Sequence, residues 1–397
     1  MSKRIATFQW MQLLVLSGVH FFADLFGNML PAILPAIREQ FKLSLSLAGL
    51  VLVALYMTSN GVQVLTGHMR ADKTRPLFLH LGLILATSIC LLAVLPRQSN
   101  AFSAMIFLAV VSGCGIAIVH PEGLRAIHSL VRIPAAISTA VFMAGGFLGY
   151  ASGGAVSTIL VSRFGLEGLY PLILCPAIGI LMVIFLKIRL AVEPKLGNQN
   201  EFGSGMIKNR LPFRLIMVMA MPAAISTTIL VSLLPTALNE LGFELTFGGY
   251  SATIFGLGGV LGSLVWGGIA HKKGGLPCSI IAFFLVIPFL VAYLILIDNR
   301  MAIWMLFGAG FCSISAYILM ITLAREASGL TLGQRMGFIV GGTWALANVV
   351  FMALLPAAEY LGTRFFLKFV PLGYLFSGIF GLLIMLKIQS QPTRNKP

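Results

Sequence analysis

The sequence predicts an all-α membrane protein, with twelve transmembrane helices arranged as two pseudo-symmetric six-helix bundles. Three observations predict it. The 397 residues are 58% hydrophobic and only 10% charged, against about 25% charged in an ordinary soluble domain. Mean hydropathy is +0.97, so the chain cannot cover itself with polar surface and lipid must be its solvent. Apolar runs of the roughly 20 residues needed to cross a bilayer recur along its length. Finally, a polar stretch near the midpoint separates two segments that share spaced motifs.

The first apolar run, 10–37, follows Lys3 and Arg4. It is too long for a signal-peptide core, and no small-residue cleavage site follows it. Further runs lie near 44–66, 77–95, 101–121, 134–161, 169–188, 213–238, 246–270, 276–297, 301–324, 336–360 and 366–388. The 18 Pro and 42 Gly would be costly in soluble helices but are tolerated in membrane ones. With the N-terminus placed in the cytoplasm, 20 of the 27 Lys and Arg fall in loops and tails on that side and 7 on the other. Basic residues resist translocation, so this asymmetry predicts a multi-pass inner-membrane protein with both termini cytoplasmic. The same rule accounts for the net charge of +15 without a nucleic-acid partner. Cys90, Cys114, Cys175, Cys278 and Cys312 all sit in apolar runs and read as free small hydrophobes without a disulfide or metal role.

The stretch from Glu193 to Arg214 is rich in Gly, Asn and charge and reads as a linker. It gives an N-terminal bundle of residues 1–190, a cytoplasmic linker of 191–212 and a C-terminal bundle of 213–397. Leu34-Pro35 corresponds to Leu234-Pro235, Gly67 to Gly267, Arg125 to Arg325, and Phe142-Met-Ala-Gly145-Gly146 to Phe338-Ile-Val-Gly341-Gly342. These offsets stay between 196 and 200. Several matches in order at nearly constant spacing imply two parallel repeats around a central cavity.

Ionisable groups inside spans carry the chemistry, because each costs about 2.5–3.5 kcal/mol on insertion scales at the bilayer centre. Asp24 is the one acid well inside an apolar run. His20 precedes it by four residues and Asn28 follows by four, which sets all three on one helical face. This is a candidate proton site. The alternative is a hydrogen-bonded cluster that only fixes packing. A second constellation, His120-Pro121-Glu122-Gly-Leu-Arg125, closes the fourth span. Glu122 and Arg125 can pair at i, i+3, and Arg325-Glu326 occupy the related place in the other repeat. Together they are candidate gate residues, or a solvated helix end worth little. Gly67, Asp72 and Arg75, between spans two and three, are a candidate latch between bundles. Cavity-facing candidates for a small-molecule substrate are Asn28, Tyr56, Asn60, Gln63, Trp344 and Asn348, with Ser226 to Thr228 and Tyr317. The glycine run from Gly145 to Gly154 in span five suits close helix approach. The sequence contains no nucleotide-binding loop and no catalytic Ser, Cys or metal-protease constellation. The expected molecule is therefore not an enzyme, has no cofactor, and works as a monomer.

Twelve spans, a central linker and the loop Gly67-His-Met-Arg70-Ala-Asp72-Lys73 after span two resemble the major facilitator superfamily. His20-x-x-x-Asp24 and His120-Pro121-Glu122-x-x-Arg125 are similar to the fosmidomycin resistance family of bacterial efflux proteins. The resemblance implies proton-coupled export of a drug or metabolite by alternating access. It implies that His20 tunes a proton-carrying Asp24, that Glu122 and Arg125 gate the cytoplasmic end, and that Asp72 with Arg75 latches the closed interface. Four residues separate Gly67 from Asp72, where the superfamily loop usually has three between its Gly and Asp. His271 takes the acid's place in the second repeat, and Tyr150 follows Gly149 where exchangers often carry Pro. A proton-driven uptake symporter needs the same acid and stays open, as does a membrane sensor or lipid-handling protein that binds without cycling.

Overall fold

A computed structural model describes residues 2–69, 73–96, 101–191, 211–330 and 332–390. Twelve helices among them are long and apolar enough to cross a membrane. In the first repeat they are α1 (Ser2–Phe41), α2 (Leu45–Met69), α3 (Leu77–Ala86), α4 (Ala101–His128), α5 (Ala135–Phe164) and α6 (Pro171–Phe185). A 3-10 segment, Thr87–Val94, completes the span begun by α3. The second repeat contains α7 (Phe213–Glu240), α8 (Leu245–Lys273), α9 (Gly275–Ile295) and α10 (Ile303–Glu326). The eleventh span is α11 (Leu332–Gly337), a π-helical turn at Phe338–Gly342, and α12 (Thr343–Leu361). The last is α13 (Thr363–Leu367) followed by α14 (Val370–Gln389). Described residues form no strand beyond an isolated bridge between Pro212 and Ser328.

The repeats end their first helices alike. After α1, Lys42 takes φ 52° and Leu43 N–H donates to the Arg38 carbonyl. After α7, Gly242 takes φ 84° and Phe243 N–H donates to the Leu238 carbonyl. These left-handed residues satisfy the last helical carbonyls and lie 200 positions apart, the spacing of the sequence repeat.

Buried apolar residues form two clusters. One contains Leu13, Leu16, Val19, Leu83, Val119 and Phe142 and stays within the first six spans, toward the end that carries the termini. The other joins Leu30 and Ile33 of α1 and Leu52 of α2 to Leu230, Leu233 and Leu355 of the second repeat. The repeats thus share a core at the end away from the termini. There, helix backbones cross closely: Gly154 lies against the Gly249 carbonyl, and Gly256 against Ala151. Arg38 pairs with Glu240 at 3.3 Å, and Thr363 Oγ1 donates to the same Glu240 at 2.6 Å. Ser46, at the start of α2, donates its N–H to Glu359 of α12 at 3.1 Å and its hydroxyl to the same oxygen. These exposed polar ties contribute little each. The shared apolar core holds this end together.

Hydrogen bonds at the other end tie each repeat to itself. Leu190 N–H donates to Thr74 O, Gln12 to Leu186 O and the Arg132 N–H to Gln9. In the second repeat Phe213 N–H donates to Ser328 O, and Ser328 N–H to Leu211 O.

Candidate functional site

Asp24 lies midway along the first span, Thr7–Phe41. Its Oδ1 is 2.9 Å from His120 Nε2 and its Oδ2 is 3.3 Å from His20 Nε2. The i, i+4 spacing on α1 brings His20 to the carboxylate. His120 arrives from α4, and sequence spacing gave no sign that these two meet. His120 neighbours the gate candidates in sequence, but its side chain belongs to the Asp24 cluster. The imidazoles stand edge to face, centroids 4.9 Å apart.

The second nitrogen of each ring fixes its orientation. His20 Nδ1 lies 2.9 Å from the Phe142 carbonyl, and His120 Nδ1 lies 2.8 Å from the Ile116 carbonyl. A carbonyl only accepts, so each Nδ1 carries a hydrogen and each Nε2 faces Asp24. An unprotonated Nε2 and a carboxylate oxygen both present lone pairs and repel. A hydrogen between the atoms turns each contact into a hydrogen bond, so the trio has places for one or two protons beyond a bare carboxylate with two neutral rings.

Packing sets this geometry. Phe142 stacks on His20 at 4.3 Å, and Gly123 of α4 leaves room for its ring. A Cβ on Gly146 would fall 2.4 Å from the His20 ring and 2.6 Å from Asp24 Oδ2. His20 is 2% exposed, whereas the Asp24 and His120 side chains keep 22% and 18% exposure. The carboxylate is therefore not sealed off by its neighbours. The three ligand atoms lie within 4.8 Å of one another, so this set is also the one described group able to hold a metal ion. A tetrahedral metal at about 2.0–2.1 Å from both atoms would hold N and O about 3.3 Å apart. The 2.9 Å contact to His120 is a proton-bridged distance.

Asn28, one turn further along α1, is buried and donates to the Tyr150 carbonyl at 2.7 Å. Its Oδ1 has no hydrogen-bond partner in the structure. Asn28 and Tyr150 line a cavity of about 10 Å³ against Leu230, Leu234, Ser251 and Phe255, room for about one water. Tyr150 is the functional candidate that sequence reasoning passed over. It lies within electrostatic range of Asp24, of Tyr56 and of Tyr374 in the other repeat. Its one signal was a bulky polar ring inside the glycine run.

The other substrate candidates divide between repeats. Tyr56 is half-buried on α2, its carbonyl accepts from Asn60 at 2.8 Å, and Gln63 is half-buried one turn on. Trp344 meets Tyr317 edge to face at 4.9 Å, and Tyr317 donates to the Ile339 carbonyl inside the π-helical turn. Asn348 is buried and donates to the Trp344 carbonyl at 2.9 Å. Thr227 and Tyr374 share a 2.7 Å hydrogen bond. Ser226 and Thr228 are buried. Phe142-Gly146 continues a regular helix, but its counterpart Phe338–Gly342 is the π turn. Thr343 Oγ1 satisfies the Phe338 carbonyl there at 3.1 Å. π turns concentrate at functional positions.

Of the gate candidates, Glu122 and Arg125 bond within the first repeat. Glu122 is 2% exposed and accepts from the Leu79 N–H at the start of α3. Arg125 is 4% exposed and donates to the carbonyls of Lys73, at 2.6 Å, and Ala191, at 2.9 Å. It fastens the connection before α3 to the chain leaving α6. Arg325 and Glu326 are exposed at the end of α10, so the sequence correspondence with Arg125 does not extend to burial. The buried arginine there is Arg335, which donates to the carbonyls of Ala327 and Arg325. Arg75 is exposed. Asp72 and the surroundings of Gly67 lie outside the described residues. Arg125→Lys is expected to lower stability by about 1.5–3 kcal/mol, because one ammonium cannot reproduce the guanidinium's fork. The loss is read as a lower unfolding temperature of the purified protein, and an unchanged temperature would refute it.

The family model for the Major Facilitator Superfamily matches residues 16–352. The chain is 23% identical to the uncharacterized MFS-type transporter YfnC of Bacillus subtilis (strain 168), over 96% of this chain and 94% of that one. Its fold is similar to the crystal structure of a bacterial homolog to the human lysosomal transporter Spinster, in an inward-facing and occupied conformation. The TM-score is 0.68 at 15% identity, covering 96% of this chain and 98% of that one. With twelve membrane-spanning helices and a family match over most of its length, this chain is a multi-pass membrane transporter that belongs to the Major Facilitator Superfamily.

Proposed function

We propose that the protein exports a small organic molecule, drug or metabolite, in exchange for protons, in the manner of the fosmidomycin resistance family. The observation that carries this reading is the Asp24 carboxylate between two imidazoles at mid-span, partly exposed and fitted for one or two extra protons. An intramembrane carboxylate with no coupling role would be expensive to keep.

In this reading residues 1–190 and 213–397 rock as two bundles joined by the cytoplasmic linker 191–212. The protein sits in the inner membrane with both termini cytoplasmic, as the charge asymmetry favours. The shared core at the far end then closes the outer side, and the present state faces inward. Proton loading of Asp24 favours one orientation of the bundles and substrate the other. Coupling follows because both ligands bias the same two-state equilibrium. His20 and His120 position and share the proton. Glu122 and Arg125, with Arg325 and Glu326 of the other repeat, gate the cytoplasmic end, and the loop of Gly67, Asp72 and Arg75 latches the closed interface. Asn28, Tyr56, Asn60, Gln63, Trp344 and Asn348, together with Tyr150 and Tyr317, line the substrate path.

The test is proton movement in proteoliposomes carrying an internal pH dye, with the monomeric protein and a panel of fosmidomycin, other small anions and drugs. The expected result is substrate-triggered proton flux opposite in direction to the substrate. Flux in the same direction would identify an uptake symporter instead. Substrate movement with no proton flux would remove the coupling.

A further inference from the structure

A second site lies on the outer flank of the first repeat, at the end that carries the termini. The residues leading into α3 and those leaving α6 enclose a pocket of about 640 Å³. Lys73, Arg75, Lys187 and Arg189 line it, and no described Asp or Glu does. We propose that this pocket binds the phosphate headgroup of an anionic membrane phospholipid, with the acyl chains lying along α3 and α6.

The pocket is built rather than accidental. Leu190 N–H donates to the Thr74 carbonyl at 2.9 Å, joining its two walls. Beneath them, the buried Arg125 bonds the carbonyls of Lys73 and Ala191. Lys187 takes φ 50°, which turns the chain sharply off α6; Ile188 N–H closes that turn on the Val183 carbonyl at 3.1 Å. Two basic pairs on separate segments are therefore held facing one space. His80 also lines the pocket.

The lining also changes character in the direction a lipid requires. The pocket sits where the third span begins, at Leu77, and where the sixth ends, at Phe185. That is the boundary between bilayer and water. Below it, α3 and α6 lie side by side. Leu77, Leu81 and Ile84 of α3 are exposed at helical spacing, as are Leu174, Ile178, Leu181 and Ile184 of α6. A basic mouth above two apolar ridges matches an anionic amphiphile. Basic pockets between transmembrane helices are a recognised headgroup environment. A free phosphate would use the mouth alone. The proposal rests on this flank and not on the transport mechanism.

The full-length protein in nanodiscs tests it, with unfolding temperature measured in phosphatidylcholine alone and with added phosphatidylglycerol. Phosphatidylglycerol should raise the wild-type temperature, and native mass spectrometry should detect retained lipid. Lys187→Gln with Arg189→Gln should abolish the shift and weaken retention by about tenfold or more. Lys187→Arg with Arg189→Lys, which keeps both charges, should preserve the effect and guard against misfolding. Lys272→Gln with Lys273→Gln removes the same charge from an exposed pair closing α8 and should also preserve it. An equal loss in that control would assign the effect to diffuse charge and overturn the pocket. A shift reproduced by inorganic phosphate in phosphatidylcholine would make it a simple anion site. A shift unchanged in the glutamine pair would refute the proposal outright.

Discussion

Asp24→Asn is expected to abolish substrate-triggered proton movement while leaving a folded, membrane-inserted protein. Asparagine has nearly the shape of aspartate, and its amide can still donate to the Nε2 of His120 or His20. One of the contacts at 2.9 and 3.3 Å therefore keeps a donor, and the amide oxygen accepts in the other when that ring carries a second hydrogen. What disappears is the one group in the cluster that exchanges a negative charge for a neutral one. The variant resembles a permanently protonated carrier. Coupled flux should fall by about a hundredfold or more, in the range of other positioned proton-transfer groups. Substrate exchange without a pH gradient should survive, since binding and reorientation of the protonated form remain possible. That split distinguishes loss of coupling from loss of structure. His120→Gln should give a partial defect, because His20 still faces the carboxylate. A variant at Asp24 that moves protons like the wild type would relocate the coupling site and leave the family assignment intact.

The spans were legible because crossing a bilayer demands a long apolar run, and that demand is local in sequence. The run at 10–37 lies inside α1 (Ser2–Phe41), and 77–95 became α3 with its 3-10 extension. His20 and Asp24 were legible together because four residues make one helical turn. His120 joined them from 96 residues away. That meeting depends on how α1 and α4 are rotated, and helices apolar on every side carry no period that reveals rotation. The same blindness hid Tyr150 and made Arg325 the apparent partner of Arg125, when Arg335 is the buried arginine beside that helix end. The π turn at Phe338–Gly342 was equally silent, since its sequence repeats that of a regular helix.

Gly149→Ala should produce a large structural loss. An added Cβ there would stand 2.0 Å from the Phe21 carbonyl oxygen. Gly145, one turn before, would meet the Ser17 carbonyl oxygen at 2.2 Å, and Gly153, one turn after, the Leu25 carbonyl oxygen at 2.8 Å. These three glycines let α5 lie backbone to backbone on α1, and backbone cannot swing aside as a side chain does. Overpacking costs about 1–3 kcal/mol where side chains can shift, so the cost at Gly149 should reach or exceed that range. The consequence also reaches the site. Pushing α5 outward moves Phe142 off the His20 ring and withdraws the carbonyl that holds Nδ1. A Gly149→Ala protein that does insert should therefore lose proton coupling as well as stability. Gly61→Ala and Gly267→Ala are the controls, because an added Cβ at either meets nothing within 4 Å. Alanine is the better helix former by about 0.8–1.0 kcal/mol, so both should hold or raise the unfolding temperature. A Gly149→Ala variant as stable as these controls would mean that α1 and α5 do not approach as closely as the structure has them.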